Sequence, residues 1–500
     1  MEPIIRTVSL TLEPPTPSDK RADRERFLDA LRIKTGDLSF DISTDLLREL
    51  PAILRNHNFS VSATLGYLGD TARILSLSEG KACAVAVDIG TTNIAASLYD
   101  MNTGEKIGYR EVENPQIAEG TDVLTRMHIA MNGKGAELHQ LLMEGVNGAI
   151  MDLCTACSFH PSAVSGVAIA GNTVMTHFLL DFPVHNLPVE PYIPVAHHIG
   201  FISPGDIGLR MNPEGIVYVF PNTGSYVGGD IVAGILSSGL SKEEKPCLLI
   251  DVGTNAEIVL GCRDWIMVGA GAAGPALEGG ISAIGMRAVD GAICGVEIDR
   301  QTYEITLRTI RSSEPKGICG SGMIELVAEL YGSGLLDAKG ALAPSGSAAG
   351  RIIEEGGIRG FLLHGDGKKR LVIWNPDIDN FMRSKAAMFA SLQVMVSSVG
   401  LAFSNVGKVF VSGAFGTGID AGKAASIGMV PEMGGDRIHP IGNSSLRGAE
   451  MLLLNRHLVS AIEKICGMVT YREMNTDGEF MRQFPAGLFI PHTDPDVLKG

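Results

Sequence analysis

The spacing of apolar and polar residues changes near residue 81 and divides the chain into two parts. Before that point, residues 4–12 (IIRTVSLTL) alternate as a half-exposed strand does, and Asp19 stands where it can cap a following helix. A second helical run, STDLLRELPAILRN, precedes two strand-like runs, FSVSATLG and ARILSLS. Residues 1–81 are therefore expected to form a small α+β domain.

After residue 81 the strands have a different pattern. KACAVAVDIG, AVSGVAIAGN and KPCLLIDVG are nearly continuous apolar runs, as in strands that are covered on both faces. Helical runs separate them, the longest between about residues 380 and 400. This pattern predicts an α/β region in two lobes, residues 82–245 and 246–500.

One hairpin pattern occurs twice. AVAVDIGTTNIAASLYD (84–100) and LLIDVGTNAEIVLG (248–261) share Asp-x-Gly-Thr between two apolar strands, and Asp88 and Asp251 are 251 − 88 = 163 residues apart. This separation is too long for a solenoid repeat and fits a duplicated domain that faces itself across a cleft. A single Asp-x-Gly-Thr is often only a β-turn, but two copies at strand junctions favour a shared chemical role.

The residues of such a hairpin tip suit a metal-bound polyphosphate. Glycine lets backbone N–H groups approach an anion, threonine hydroxyls add donors, and the carboxylate holds a hydrated Mg²⁺. The strand would deliver Asp251 to the cleft, where Gly253, Thr254 and Asn255 cradle phosphate. A third strand, within KVFVSGAFGTGID (408–420), ends in a glycine turn that would let adenine or ribose lie against the backbone.

Composition and charge exclude several classes of function. The 500-residue chain is 45% hydrophobic and has a net charge of −15 without a basic cluster, so nucleic acid is not an expected partner. It lacks a signal-peptide pattern, and glycines interrupt its least charged stretch, 265–286, so we expect a cytoplasmic protein that does not cross a membrane. No GxxxxGK[ST] sequence occurs, which excludes ATP binding by a P-loop.

Three other patterns are interpreted as structural. GAGAAG (269–274) matches a dinucleotide-binding fingerprint, but more glycines follow where that fold needs a regular helix. Cys154 and Cys157 form the one CxxC among eight cysteines, and without a second pair they are expected to be core residues. Three histidines could be considered as metal ligands: His197, His198 and His492. None has a second ligand at a spacing suited to a metal site.

The two hairpins and the third turn resemble the phosphate-1, phosphate-2 and adenosine motifs of the ASKHA superfamily, which includes actin, heat-shock chaperones and sugar kinases. In that superfamily ATP binds between two ribonuclease-H-like lobes. The resemblance implies that Asp88 and Asp251 position Mg²⁺ and the attacking water. It also implies nucleotide contacts by residues of all three motifs: Gly90, Thr91, Thr92, Asn93, Gly253, Thr254, Asn255, Gly413, Ala414 and Gly416.

The roles of several further residues stay open. Asp230, in VGGDIVAG, is either another metal-facing carboxylate or a cap of the helix that begins there. Gly320 and Ser321, in GICGSGM, are candidate nucleotide contacts, with an N-cap as the alternative role of the Ser321 hydroxyl. Glu257 alternates onto the strand face below the Asp251 tip, which favours a structural role.

Over the whole chain the resemblance narrows to the reductive activators of corrinoid proteins. It is carried in order, from about residue 3 to the end, by segments that include AIAGNTVMTHFLL, LPVEPYIPV, NTGSYVGGDIVAGIL, GAAGPALEGGISAIGMRAVDGAI, KGICGSGMIELVAEL, VFVSGAFG and IGNSSLRGAE. The resemblance implies an ATPase that couples ATP-driven lobe closure and complex formation to the reduction of a corrinoid protein from cob(II)alamin to cob(I)alamin. It also implies a homodimer.

One departure from that family concerns the electron donor. The best-known members carry an N-terminal [2Fe–2S] domain, whereas this sequence begins at the strand that follows it, so residues 1–81 resemble their middle or linker domain. No iron–sulfur cluster is expected in this chain, and either the cluster domain is missing or a separate protein supplies the electrons. Two rival functions stay open: a small-molecule kinase of the same superfamily, and a non-redox ATPase chaperone that reactivates a cobalamin enzyme.

Overall fold

A computed structural model describes residues 2–78, 80–253, 256–271, 282–348, 350–413, 418–474 and 477–499. The chain divides into two compact units. The first unit consists of Met1–Ser237 and Ser445–Gly467, and the second of Ser238–Ser444 and Met468–Gly500. The division expected from the sequence, with borders after residues 81 and 245, stays a prediction.

The first unit begins with a small four-stranded sheet in the order β1-β3-β4-β2. Apolar residues of α1 and α2, among them Phe27 and Leu54, pack with the sheet in one core. The elements are β1 (Ile5–Thr11), α1 (Asp23–Thr35), β2 (Ser39–Asp41), α2 (Thr44–Asn56), β3 (Ser60–Leu68) and β4 (Thr71–Ser76). The expected α+β arrangement is therefore present here.

The cap expected for the first helix is wrong. The N-cap position of α1 is occupied by Ala22, not by Asp19. Asp19 instead accepts hydrogen bonds from Arg21 and from the buried Arg26, whose Nη1 lies 2.7 Å from its Oδ2. These guanidinium groups hold the pKa of Asp19 well below its ordinary value.

A six-stranded sheet follows in the same unit, in the order β7-β6-β5-β8-β10-β9. β5, β6 and β7 run antiparallel as a meander, whereas β8 and β10 run parallel to β5. The elements are β5 (Cys83–Ile89), β6 (Asn93–Asp100), β7 (Glu105–Glu113), α3 (Val123–Ile129), α4 (Gly135–Ala156), β8 (Val164–Gly171), α5 (Thr173–Leu179), β9 (Gly200–Ile202), β10 (Ile216–Val219) and α6 (Gly229–Ser238). The central strands are buried because helices pack on the sheet, as the continuous apolar runs predict.

The second unit contains another six-stranded sheet, in the order β21-β20-β11-β12-β13-β22, and two three-stranded sheets, β15-β14-β16 and β17-β18-β19. Its elements begin with β11 (Cys247–Val252), β12 (Ala256–Gly261), β13 (Ile266–Gly271), β14 (Ala292–Ile298), β15 (Ile305–Thr309), β16 (Gly317–Ile318), α7 (Gly320–Gly332), β17 (Ile352–Glu355), β18 (Ile358–His364), β19 (Leu371–Trp374) and α8 (Asn375–Ser398). The second unit continues with β20 (Val409–Gly413), α9 (Ala421–Ser426), β21 (Ile438–Gly442), β22 (Val469–Glu473) and α12 (Gly478–Gly487). Between β21 and β22 the chain forms α10 (Ser444–Leu454) and α11 (Leu458–Met468), which belong almost entirely to the first unit.

The two large sheets share one strand topology. In the second unit β11, β12 and β13 form the antiparallel meander, while β20 runs parallel to β11 and β21 parallel to β20. The order β13-β12-β11-β20-β21 thus repeats the order β7-β6-β5-β8-β10 of the first unit. This repetition is the duplicated ribonuclease-H-like architecture expected from the sequence. Among the described helices, none combines the length and the apolar character needed to cross a membrane.

Candidate functional site

The first Asp-x-Gly-Thr sequence lies at the tip of the β5–β6 hairpin. β5 is buried along its apolar length, and its penultimate residue is the half-buried Asp88, which pairs in register with Ala95 on β6 and Ala170 on β8. Ser445, at the start of α10, donates a hydrogen bond from its hydroxyl to Asp88 Oδ1 over 2.7 Å. The carboxylate is therefore carried by a rigid strand and oriented by a neighbouring hydroxyl.

The turn after β5 requires glycine. The backbone N–H of Gly90 donates to the Asn93 carbonyl over 2.9 Å, which closes the turn. A Cβ atom at position 90 would lie only 2.7 Å from that carbonyl oxygen, closer than carbon and oxygen normally approach. Glycine is thus needed here for a close backbone approach.

All three carbonyl groups of the turn are held from within the first unit. Asn114 donates to the Gly90 carbonyl through Nδ2 (2.9 Å) and to the Thr92 carbonyl through its backbone N–H (2.8 Å). The buried Arg126 donates through Nη2 to the Thr91 carbonyl (2.7 Å). Neither Asn114 nor Arg126 was identified from the sequence.

These contacts fix two backbone donors in space. In a trans peptide the C=O and N–H point in opposite directions, so holding the Gly90 and Thr91 carbonyls orients the N–H groups of Thr91 and Thr92. Neither N–H has a hydrogen-bond partner within the described part of the chain. Successive backbone N–H groups at such a turn form a concave site suited to an anion.

Side chains of the turn are positioned as well. Asn172 caps α5 by accepting from the Met175 N–H, and its Nδ2 donates to Thr91 Oγ1 over 3.2 Å. Because Oγ1 accepts this bond, the proton of the Thr91 hydroxyl can point to a ligand. Asn93, also expected to contact nucleotide, donates its side-chain amide to Glu111 over 2.7 Å.

The second Asp-x-Gly-Thr sequence lies between β11 and β12. Asp251, at the end of β11, pairs directly with Glu257 on β12 and neighbours Ser412 on β20. Residues directly opposite in an antiparallel pair have side chains on the same face, with Cβ atoms about 5 Å apart. Two carboxylates therefore share this face, although Glu257 was expected to be structural. Gly253 is half-buried, and the predicted contacts Thr254 and Asn255 lie outside the described residues.

The third predicted motif follows β20 in the second unit. β20 runs parallel to β11, so the carboxyl ends of both strands meet at the same edge of the sheet. Gly413, the last residue of β20, has φ +82°, a conformation that favours glycine. The hydroxyls of the buried Ser412 and Ser444 are hydrogen-bonded over 2.6 Å. The predicted contacts Ala414 and Gly416 lie outside the part of the chain that the structure describes.

The open choice for Ser321 is partly resolved. The N-cap position of α7 belongs to Cys319, and Gly320 and Ser321 are the first two helical residues, so Ser321 is not the N-cap. Its hydroxyl lies 3.3 Å from Cys319 Sγ. A Cβ atom at Gly418 would lie 3.7 Å from Ser321 Oγ, so the start of α7 is close to the chain just after the predicted third motif. The phosphate contact stays a prediction.

Asp230 is the second residue of α6 and not its N-cap. Its Oδ1 accepts from the Ile231 N–H over 2.8 Å, within the first helical turn. A Cβ atom at Gly228 would lie 2.7 Å from this oxygen and 2.4 Å from Asn172 Cα, so Asp230 is close to the start of α5. A metal-binding role for Asp230 stays a prediction.

The remaining candidates have structural surroundings. Cys154 is buried, and burial raises the pKa of its thiol to about 11, which disfavours the thiolate that a metal site needs. Cys157 Sγ contacts the Ile107 carbonyl, and His197 bonds Asn222 Oδ1 through Nδ1 over 3.0 Å. Among the described residues, no group of three or more His, Cys, Asp and Glu side chains is arranged to hold a metal ion.

Two sheets that share the order of five strands, with an Asp-x-Gly-Thr hairpin at the tip of the first meander strand in each, define the ASKHA fold class. Comparison with known families agrees with this class. Residues 245–499 match the family described as "C-terminal domain of RACo the ASKHA domain", residues 83–243 match "RACo middle region" and residues 1–84 match "RACo linker region". The chain belongs to the RACo family. The resemblance to reductive activators of corrinoid proteins is thereby confirmed.

Individual relatives agree with this assignment. The chain is similar to "Corrinoid activation enzyme RamQ" of Eubacterium limosum, with 30% identity over 80% of this chain and 69% of the relative. It is 24% identical to "[Co(II) methylated amine-specific corrinoid protein] reductase" of Methanosarcina barkeri over 77% of this chain and 72% of that protein. A solved structure of "Reductive activator for corrinoid,iron-sulfur protein" superposes with a TM-score of 0.91 at 35% identity, covering 99% of this chain and 80% of the other.

Proposed function

We propose that this protein is an ATPase that reductively activates a corrinoid protein, converting its cobalt from Co(II) to Co(I) at the expense of ATP hydrolysis. The observation that carries the proposal is the similarity to a reductive activator over 99% of the chain. One electron from a low-potential donor reduces cobalt, and ATP and water give ADP and phosphate. The corrinoid protein is the macromolecular substrate, and the donor is a separate redox protein or domain.

The first hairpin tip is proposed to bind phosphate. Its support is the pair of oriented N–H groups of Thr91 and Thr92, with the Thr91 hydroxyl beside them. Donors that are held in place before the ligand arrives stabilise charge without reorganisation. Asp88, oriented by the Ser445 hydroxyl, is then the group that positions the attacking water.

The second hairpin tip is proposed to serve the metal ion. Mg²⁺ prefers carboxylate oxygens as ligands and usually keeps several of its water ligands. The two carboxylates of Asp251 and Glu257 therefore suit Mg²⁺. When bound, Mg²⁺ would neutralise charge on the phosphate oxygens. The neighbouring β20 end, with Gly413, is proposed to receive the nucleoside. In each unit the motif lies at the end of buried strands, which keeps its geometry fixed.

Nucleotide binding is proposed to favour the state that binds the Co(II) partner. Coupling between two binding events is typically about 1 to 3 kcal/mol. For a one-electron couple about 59 mV corresponds to a tenfold change in equilibrium, so such coupling is worth roughly 40 to 130 mV. Binding alone therefore shifts the cobalt reduction potential modestly. A larger difference in reduction potential between the donor and the cobalt requires a change of the cobalt ligands in the complex. ATP hydrolysis then returns the complex to its starting state.

The test follows the Co(I) absorption band of a corrinoid protein. Purified Co(II) corrinoid proteins of the methylated-amine and iron–sulfur types are mixed with this protein, a low-potential reductant and either MgATP or no nucleotide. We expect Co(I) to accumulate with at least one of them only when MgATP is present. The Asp251→Asn variant is expected to keep the fold but to lose ATP turnover and Co(I) formation.

Other outcomes would identify the rival functions. Release of corrinoid without a change in cobalt oxidation state would indicate a reactivating chaperone, and a phosphorylated acceptor would indicate a kinase. ATP-independent Co(I) formation would contradict the proposal. Wild-type ATP turnover by Asp251→Asn would show that the second hairpin is not the metal site.

A further inference from the structure

A buried cation lies directly behind the turn of the first hairpin. Arg126 on α3 is completely buried, and its guanidinium donates to the Thr91 carbonyl (2.7 Å), the Gly120 carbonyl (2.8 Å) and Gln116 Oε1 (3.0 Å). Burial lowers its pKa only to about 10, so it stays charged at neutral pH. Within the described residues no carboxylate lies within ion-pair distance of it, but Asp122, the N-cap of α3, attracts it electrostatically and opposes the effect of burial on its pKa.

A buried charge without a direct ion pair is costly, so its position calls for a physical reason. Taking a cation out of water is unfavourable even when neutral groups accept its hydrogen bonds. The Thr91 carbonyl that accepts from Arg126 belongs to the same peptide group as the Thr92 N–H. A cation on the carbonyl side of a peptide polarises it and makes the opposite N–H a stronger donor. That N–H has no partner among the described residues.

We propose that Arg126 is a positioning residue for the nucleotide phosphates, acting on them through the Thr91–Thr92 peptide without touching them. The inference rests on the proposed ATPase function and names a residue that lies outside the two hairpins and the third turn. It accounts for both properties of Arg126: its guanidinium holds the Thr91 carbonyl in place, and its positive charge, which Asp122 attracts without a direct ion pair, adds to the field at the Thr92 N–H where a phosphate would bind.

Binding measurements with ATP and adenosine separate this role from a purely structural one. Adenosine has the base and sugar of ATP but no phosphate, so it does not sense the turn. Arg126→Met is expected to weaken ATP binding roughly 10- to 100-fold, as for loss of a charge-assisted contact, and to leave adenosine binding within about twofold. Isothermal titration calorimetry with each ligand gives the ratio of the two dissociation constants.

A second variant neutralises the charge and keeps the guanidinium. Gln116→Glu would give Arg126 a carboxylate partner at the position where Gln116 Oε1 now accepts. It too is expected to lower the ATP-to-adenosine affinity ratio, by about three- to tenfold, because the field of Arg126 is then cancelled locally. If Arg126→Met does not fold, Gln116→Glu alone tests the role of Arg126.

The matched control is another fully buried basic side chain, whose pKa burial lowers to about 7. Lys385 on α8 donates through Nζ to the carbonyls of Gly487, Phe489 and Pro491, none of which belongs to a glycine turn of the candidate site. Lys385→Met is expected to lower the unfolding temperature and to leave the affinity ratio unchanged. An unchanged ratio in Gln116→Glu and in any folded Arg126→Met would overturn the inference. Failure of the wild-type protein to bind ATP would instead overturn the proposed function.

Discussion

The close approach of backbone at Gly90 gives a sharp test of the first hairpin. A Cβ atom at this position would lie 2.7 Å from the Asn93 carbonyl oxygen, whereas C···O contacts normally begin at about 3.3 Å. Gly90→Ala must therefore move the two groups apart by roughly 0.6 Å. The turn has little freedom to do so because Asn114 and Arg126 hold its carbonyls from below.

Two consequences of Gly90→Ala are expected. Overpacking of this kind costs about 1 to 3 kcal/mol of unfolding free energy. Since displacement of a reacting group by about 1 Å can cost about 100-fold in rate, a shift of about half that size should lower kcat/KM for ATP hydrolysis at least about tenfold. Phosphate release measures the rate, and urea unfolding followed by circular dichroism measures the stability.

The control is a glycine of the same unit that has open space around it. Gly148 lies inside α4, and a Cβ atom there would have no neighbour within 4 Å. Gly148→Ala should raise the unfolding free energy by about 0.5 to 1 kcal/mol through helix propensity and leave ATP hydrolysis unchanged. If Gly90→Ala hydrolyses ATP at the wild-type rate, the β5–β6 turn does not bind phosphate and the assignment of this site fails.

Three further changes test other parts of the site. Ser445→Ala removes the hydroxyl that orients Asp88 and should lower ATP turnover about tenfold, as for one hydrogen bond to a charged group; Ser97→Ala, which removes an equally buried hydroxyl without a partner in the described chain, should not. Glu257→Gln should raise the Mg²⁺ concentration for half-maximal ATPase activity, measured by Mg²⁺ titration, and an unchanged midpoint would contradict a metal role. Burial lowers the pKa of His177, so below about pH 6.5 the unfolded state binds more protons. Stability should therefore fall as the pH decreases below that value, and His177→Gln should flatten this dependence of the unfolding temperature on pH.

The strands and turns of the candidate site could be predicted because their information is local. The apolar run before Asp88 forms most of β5, and the helix predicted at about 380–400 corresponds to α8, which begins earlier and ends at Ser398. A continuous apolar run has no exposed face, so it indicates a strand buried within the sheet. The repeated Asp-x-Gly-Thr then indicated the duplication that the two strand orders share.

The supports beneath the turn could not be predicted in the same way. Arg126 is a single cation in the apolar run VLTRMHIAM, and nothing local shows whether it reaches solvent or a backbone carbonyl. A charged residue among apolar neighbours could have indicated a buried contact, but its partner Thr91 is 35 residues away in the sequence. Such a contact depends on how α3 packs against the turn, which is a tertiary property.

The pairing of Glu257 with Asp251 could not be predicted for a related reason. Alternation along β12 gives the face of each residue relative to its own strand, but the length of the turn sets the register with β11. In the structure Asp251 pairs with Glu257, so the two carboxylates share a face. One residue more or less in the turn would place an alanine or an isoleucine opposite Asp251 instead.

The two hairpin tips have the same topology but opposite electrostatics. The β5–β6 tip has Ala95 opposite its aspartate and a buried guanidinium behind its turn, whereas the β11–β12 tip has Glu257 opposite Asp251. A cation and oriented N–H groups favour phosphate, and paired carboxylates repel it unless a divalent cation intervenes. Duplication would thus have supplied two equal scaffolds that diverged into a phosphate site and a metal site. Changes at the first tip should then weaken ATP binding even when EDTA removes Mg²⁺, whereas Glu257→Gln should weaken ATP binding only when Mg²⁺ is present.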